Sequence, residues 1–288
     1  MYRKLLATLL LVPGVALTAQ ETNAFHRPVF LPDGETLVVM SNRHGGDWEL
    51  YSIGIDGSHP RRLTDHVGWD GYADVSPDGR HIVFDRSDDD RSGVVIAALD
   101  GESERWLLES HGASVGGARF APDGRSVVFT SEESGNRDLY RLWLADGRRE
   151  RVTDTSQGEG DAVFSPDGGR LAYAVWLDDD TSALEILDLA TGAVRRVLAV
   201  HGRLYGVAWG ADGEDLYYND DSDGDQDIYR VSLKTGQAHN LTNNATPDHL
   251  PVVSPDGRQV VFTSERNGPE EVFLLDLDTG AQHQLELR

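Results

Sequence analysis

Carboxylates are the commonest reactive side chains in this 288-residue chain, and they cluster. Asp88-Asp89-Asp90, Asp178-Asp179-Asp180 and the run Asp220-Asp221-Ser222-Asp223-Gly224-Asp225 are the densest groups. Asp221, Asp223 and Asp225 alternate, which places three hard oxygen donors on one short loop and suits Ca²⁺. They form a candidate calcium site, although the spacing and terminal glutamate of an EF-hand loop are missing. The competing reading is that all three clusters are solvated loops that keep strand edges soluble. Gly112-Ala113-Ser114-Val115-Gly116 has the spacing of a nucleophile elbow, but that motif needs a strand running into a helix. Here a short strand and a tight turn follow, so the segment reads as a connector. The chain has no cysteine, which excludes disulfides, thiolate metal sites and a cysteine nucleophile.

A second set of residues falls within the six or seven positions before a recurring turn. It comprises His26, Arg27, Asp70, Tyr72, Asp74 and Arg119, followed by Glu159, Asp161, Tyr205, Asp248 and His249. His66, His111 and His201 lie a little earlier in the same segments. His26 and His249 occupy one repeat position in the first and last repeats, so ring closure would bring them together. A His/Asp metal site is the sharper reading, and polar residues lining a wet funnel the plainer one. This set is the candidate ligand or partner surface, because irregular segments held by a rigid scaffold carry function.

The turn that orders these residues is Pro-Asp-Gly. It occurs at Pro32-Asp33-Gly34, Pro77-Asp78-Gly79, Pro122-Asp123-Gly124, Pro166-Asp167-Gly168 and Pro255-Asp256-Gly257, with Ala211-Asp212-Gly213 as the remaining copy. The aspartates are 45, 45, 44, 45 and 44 residues apart. Proline pre-sets φ, aspartate bonds its own backbone and glycine accepts positive φ, so each copy marks a tight hairpin. Each turn has a short apolar segment before it and a β-branched or aromatic run after it. A polar loop, a third run such as Leu139–Leu144, a second turn and a fourth segment complete the repeat. Four short strands make a sheet with two faces to bury, and six such sheets around an axis bury both. The predicted fold is all-β: a six-bladed β-propeller of four-stranded antiparallel blades, spanning about 25-66, 67-111, 112-155, 156-200, 201-244 and 245-288. Strand alternation puts the acidic loops and the inter-blade connectors on one face and the Pro-Asp-Gly turns on the other. Blades contiguous in sequence are expected. The alternative is that Leu17-Thr18 supplies the outer edge of the last blade.

Residues 1–24 read as a signal peptide: Arg3 and Lys4, an apolar run from Leu5 to Val12, then small residues, with cleavage between about 16 and 24. The apolar run is too short to span a bilayer. The expected location is periplasmic or secreted. A formal net charge of −23 disfavours nucleic acid and anionic lipid and favours cations or a basic protein face.

The repeat resembles that of TolB-type propellers. The third copy carries Ala121-Pro122-Asp123-Gly124, Phe129-Thr130-Ser131, Gly135, Asp138-Leu139-Tyr140 and Val152-Thr153. The fifth has Asp227-Ile228-Tyr229 and Leu241-Thr242, and the sixth Ser254-Pro255-Asp256-Gly257 with Phe262-Thr263-Ser264. The resemblance implies a TolB-like, WD40-like propeller, specific for fold and nearly silent on function. The N-terminal α/β domain of TolB itself has no counterpart here, so a role in the Tol–Pal system is not implied. Two functions follow as expectations. The first is a non-catalytic extracytoplasmic scaffold, a monomer without cofactors, that recognises a protein or peptide on its axial face. The alternative is a carbohydrate-active lyase or hydrolase with a metal-assisted site at the channel mouth, using His26, Asp70, Glu159, Asp161 or His249.

Overall fold

The computed structural model describes residues 25–43, 47–88 and 91–286. The expected signal segment, Leu17-Thr18, Asp89 and Asp90 lie outside the described residues. Six antiparallel sheets of four strands each follow the chain in order, and no helix occurs among the described residues. The innermost strands are Phe25–Phe30, Trp69–Val75, Val115–Phe120, Gly158–Phe164, Leu204–Trp209 and Asp248–Val253. Among the described residues every blade is contiguous in sequence.

The recurring turns behave as their chemistry dictates. In all six, the glycine has φ between 66° and 73°. Its N–H donates back to the residue three positions earlier, as Gly124 does to Ala121 at 2.8 Å. The turn aspartate accepts the N–H two residues on, as Asp123 does from Arg125 at 2.9 Å. The turns also touch around the ring: a Cβ on Gly124 would lie 3.7 Å from Pro77, and one on Gly34 would lie 3.8 Å from Pro255.

Burial closes the circle. The clusters are shared between neighbouring blades, and one joins Phe25, Phe30, Leu37 and Tyr51 of blade 1 to Val261, Val272, Leu274 and Leu285 of blade 6. Burying each side chain of this size contributes roughly 1.5–3 kcal/mol, so the seam is held as firmly as any other.

Outer strands differ in length; that of blade 6, Gln282–Gln284, is short without a threonine two positions on, while three other short ones share a local contact. In blades 1, 3 and 5 they have two or three residues (Arg61–Arg62, Arg149–Arg151, Ala238–Asn240). There a threonine two positions beyond the strand reaches in. Thr64, Thr153 and Thr242 accept the N–H of Leu50, Leu139 and Ile228 at 2.9–3.0 Å. Blades 2 and 4 lack the threonine, and Glu104–Ser110 and Val194–His201 pair for seven and eight residues.

Candidate functional site

Each innermost strand is broken by a β-bulge at one repeat position. The bulged residues are Arg27, Tyr72, Gly117, Asp161, Gly206 and Leu250, with φ of 54°, 51°, 66°, 51°, 61° and 58°. Only two are glycine, so four side chains accept the left-handed conformation that L-residues avoid. All six line one cavity of about 820 Å³, at the axial end where connectors such as Ser114 and Arg203 emerge. The bulge turns a strand residue out of the sheet and into the funnel.

Side chains from the neighbouring blade hold several of these bulges. Both Asp85 oxygens accept the Gly117 N–H, at 3.0 and 2.9 Å. Asn219 Oδ1 accepts the Leu250 N–H at 3.0 Å, and Thr263 Oγ1 that of Arg27 at 3.0 Å. Asp161 Oδ2 accepts the Gly206 N–H at 3.1 Å. Burial pushes the Asp85 carboxyl up to about 7, against the Gly117 N–H and the charges of Arg119, Arg137 and Arg27. A Cβ on Gly116 would lie 2.4 Å from an Asp85 oxygen, so the last glycine of Gly112–Gly116 makes room for this carboxylate. Ser114 is exposed in the connector, and a strand follows it.

The eleven candidate surface residues separate into two groups. Arg27, Tyr72, Arg119, Asp161, Tyr205 and His249 line the funnel. His26, Asp70, Asp74, Glu159 and Asp248 pack behind its wall. Asp70 is 1% exposed and bound by Arg86 through both oxygens, at 2.7 and 2.8 Å. Asp74 accepts the Phe120 N–H of the next blade at 2.7 Å, and burial raises its pKa. Glu159 accepts Thr153 at 3.2 Å and also Thr155, and burial raises its pKa as well. Asp248 pairs with Arg266 at 2.6 Å. Alternation alone would put Asp70 and Tyr72, two residues apart, on one side of the sheet; the bulge at Tyr72 breaks the period.

His26 and His249 do meet, through a residue the repeat did not single out. Glu270 pairs with His26 Nδ1 at 2.8 Å and His249 Nε2 at 3.3 Å. Hydrogen bonds from His249 and His26 hold the Glu270 carboxyl well below the usual range. Each Glu270 oxygen is spent on one imidazole. Among the described residues no group of three or more His, Asp or Glu side chains is arranged to hold a metal ion. Of the candidate calcium residues, Asp221 and Asp223 make separate contacts. Asp221 accepts the Arg203 N–H at 2.7 Å, and Asp223 accepts the Tyr229 hydroxyl at 2.7 Å.

The funnel also holds residues that the repeat pattern left unmarked: Asp85, Arg137, Trp176, Arg203, Asn219 and Gln226. Asp85 and Asn219 had a signal. They are polar residues inside apolar second-strand runs, at the repeat position occupied elsewhere by Met40, Thr130, Ala174 and Thr263. Asp178 and Asp179 reach the rim of the same cavity, so that acidic loop shares a face with the connectors.

The family profile described as the TolB beta propeller domain matches residues 161–288. An uncharacterized protein of Agrobacterium fabrum is 30% identical over 199 residues, covering 65% of this chain and 67% of that protein. The Tol-Pal system protein TolB of Francisella tularensis subsp. holarctica is 26% identical over 166 residues. That match covers 57% of this chain and 38% of that protein. Among solved structures, TolB from Acinetobacter baumannii superposes with a TM-score of 0.73 at 19% identity, over 93% of this chain and 65% of that one. Likeness at that identity establishes the fold alone. Among the described residues no helix is long and apolar enough to cross a membrane.

Proposed function

This chain belongs to the TolB-like β-propeller family, and from that premise we propose that it is an extracytoplasmic binding scaffold whose protein or peptide ligand enters the axial funnel. One observation carries the reading. All six blades deliver a residue to the same cavity through a bulge, and four of the six keep a side chain there despite the unfavourable backbone. Strain retained at a convergent site points to function at that site. The extracytoplasmic part rests on the composition of residues 1–24 and on the relatives' names. The competing enzyme reading would use the same end of the ring, where His26, Glu270 and His249 meet.

Plugging the funnel tests the reading. Ser114 is exposed on the wall, so Ser114→Trp should fill the mouth without disturbing a blade. Asp123→Trp places the same bulk on an exposed turn at the other end. Capture of a ligand from envelope extract by immobilised protein should fail with Ser114→Trp and persist with Asp123→Trp. Equal capture by both variants would contradict the proposal.

A further inference from the structure

The net charge of −23 is not carried into the funnel, where four arginines stand beside Asp85, Asp161, Asp178 and Asp179. Arg27, Arg119, Arg137 and Arg203 converge on the cavity from blades 1, 3 and 5. None of the four forms an ion pair with a carboxylate among the described residues. Three are oriented by other contacts. Arg27 stacks on Tyr72 with Cζ 3.8 Å from the ring centroid, and Arg137 lies 5.1 Å from that of Trp176. Arg119 Nη1 donates to the carbonyls of Tyr72 and Ala118 at 3.3 and 3.1 Å. A stacked guanidinium keeps its in-plane N–H donors free for a carboxylate.

Asp85 lies in the field of Arg119, Arg137 and Arg27, but the hydrogen bonds of Asp85 and Asp161 go to backbone and not to these donors. Asp85 and Asp161 direct oxygens at the Gly117 and Gly206 N–H groups. A further donor stands alone: Asn219 is 0% exposed, its Oδ1 is committed to Leu250, and its Nδ2 has no hydrogen-bond partner. A buried amide donor left unmatched costs about 1–3 kcal/mol. Asn219 Nδ2 and the guanidinium N–H groups not spent on the protein therefore all call for an acceptor.

Resting on the scaffold reading above, we propose that the funnel is a carboxylate-binding site that takes an acidic peptide segment, with glutamate or aspartate side chains on the arginines and a main-chain carbonyl on Asn219. Two of the three aromatic rings that line the cavity, Trp176 and Tyr72, favour peptide over sugar. A pyranose needs an open aromatic face, but Trp176 has Arg137 on one side and packs so closely on Gly160 that a Cβ there would lie 2.5 Å from the ring. Tyr72 is likewise covered by Arg27.

Fluorescence anisotropy with a short labelled Glu-Ala peptide tests the assignment, alongside matched Gln-Ala and Lys-Ala peptides. The Glu peptide should bind at least tenfold tighter than the Gln peptide, and the Lys peptide should not bind. Arg137→Gln and Arg203→Gln change exposed side chains that leave the cores intact, and each should weaken the Glu peptide about tenfold. Arg125→Gln, on an exposed turn at the far end, should leave it unchanged. Equal binding of Glu and Gln peptides, or no response to either funnel variant, would overturn the proposal. A Lys peptide held by wild type and lost in Ser114→Trp would overturn the carboxylate assignment and leave the scaffold reading standing. Binding of a galacturonate oligomer with every peptide unbound would keep the carboxylate chemistry but overturn the peptide assignment and, with it, the scaffold reading.

Discussion

Asp85 and Glu270 are carboxylates placed in opposite ways, and each makes its residue testable. Glu270 receives two imidazoles and is held ionised. Asp85 is desolvated and pushed up to about 7 from an ordinary value of 3.8, with Arg27, Arg119, Arg137 and the Gly117 N–H facing it. An acid with a raised folded pKa keeps a proton that the unfolded chain has released, so stability falls as pH rises between about 4 and 7. Asp85→Asn removes that dependence and still offers an oxygen to Gly117. Unfolding free energies from pH 4 to 8 should show the wild type losing ground to the variant until about pH 7 and no further; parallel curves would contradict this. The two bulge glycines make a second pair. A Cβ on Gly117 meets nothing closer than 3.9 Å, whereas one on Gly206 would lie 2.5 Å from Asn219 Oδ1 and 3.1 Å from the Leu250 Cα. Gly117→Ala should cost about 1 kcal/mol from its backbone conformation alone. Gly206→Ala should cost clearly more, in the same urea titration.

Strands and turns in this chain are written largely in local chemistry. The threonine of blades 1, 3 and 5 is an example. Thr242 Oγ1 accepts the Ile228 N–H and donates to Asp227, which is 2% exposed and also held by Asn240 at 2.8 Å. Thr242→Val keeps the shape and removes both bonds, so denaturant titration should show a loss of about 1–3 kcal/mol. An unchanged midpoint would mean the clip carries no stability. The Pro-Asp-Gly spacing was enough to specify six blades, since hairpin turns depend on three adjacent residues and the period on simple counting. The bulges were not legible. Nothing in His26-Arg27 or His249-Leu250 marks a left-handed residue, and a one-position displacement decides which side chain faces the funnel. That is why Asp70, Glu159 and Asp248, at the residue that faces the wall, were grouped with Tyr72 and Asp161. Arg137 and Arg203 come from loops whose course depends on the closed ring.

At the scale of the molecule, closure makes the funnel a single site. Blade 6 completes the seam through Val261, Val272, Leu274 and Leu285 against Phe25, Phe30 and Tyr51, and Thr263 holds the Arg27 bulge. Deleting residues 245–288 should therefore abolish cooperative thermal unfolding of the whole chain, because blades 1 and 5 each lose an apolar neighbour. A single sharp transition in the shortened chain would show that the ring is not one unit. The charge distribution acts at the same scale: an acidic exterior surrounds a funnel wall that carries four arginines, so a ligand is sorted by the cavity and not by the net charge. The central claim is that ligand enters this funnel. Its most direct measurement places a photo-crosslinking amino acid at Tyr205, on the wall, or at Asp123, on the opposite end, and maps the adducts formed in envelope extract by mass spectrometry. The account predicts a ligand segment attached at Tyr205 and none at Asp123; adducts at Asp123 with an empty Tyr205 position would contradict it.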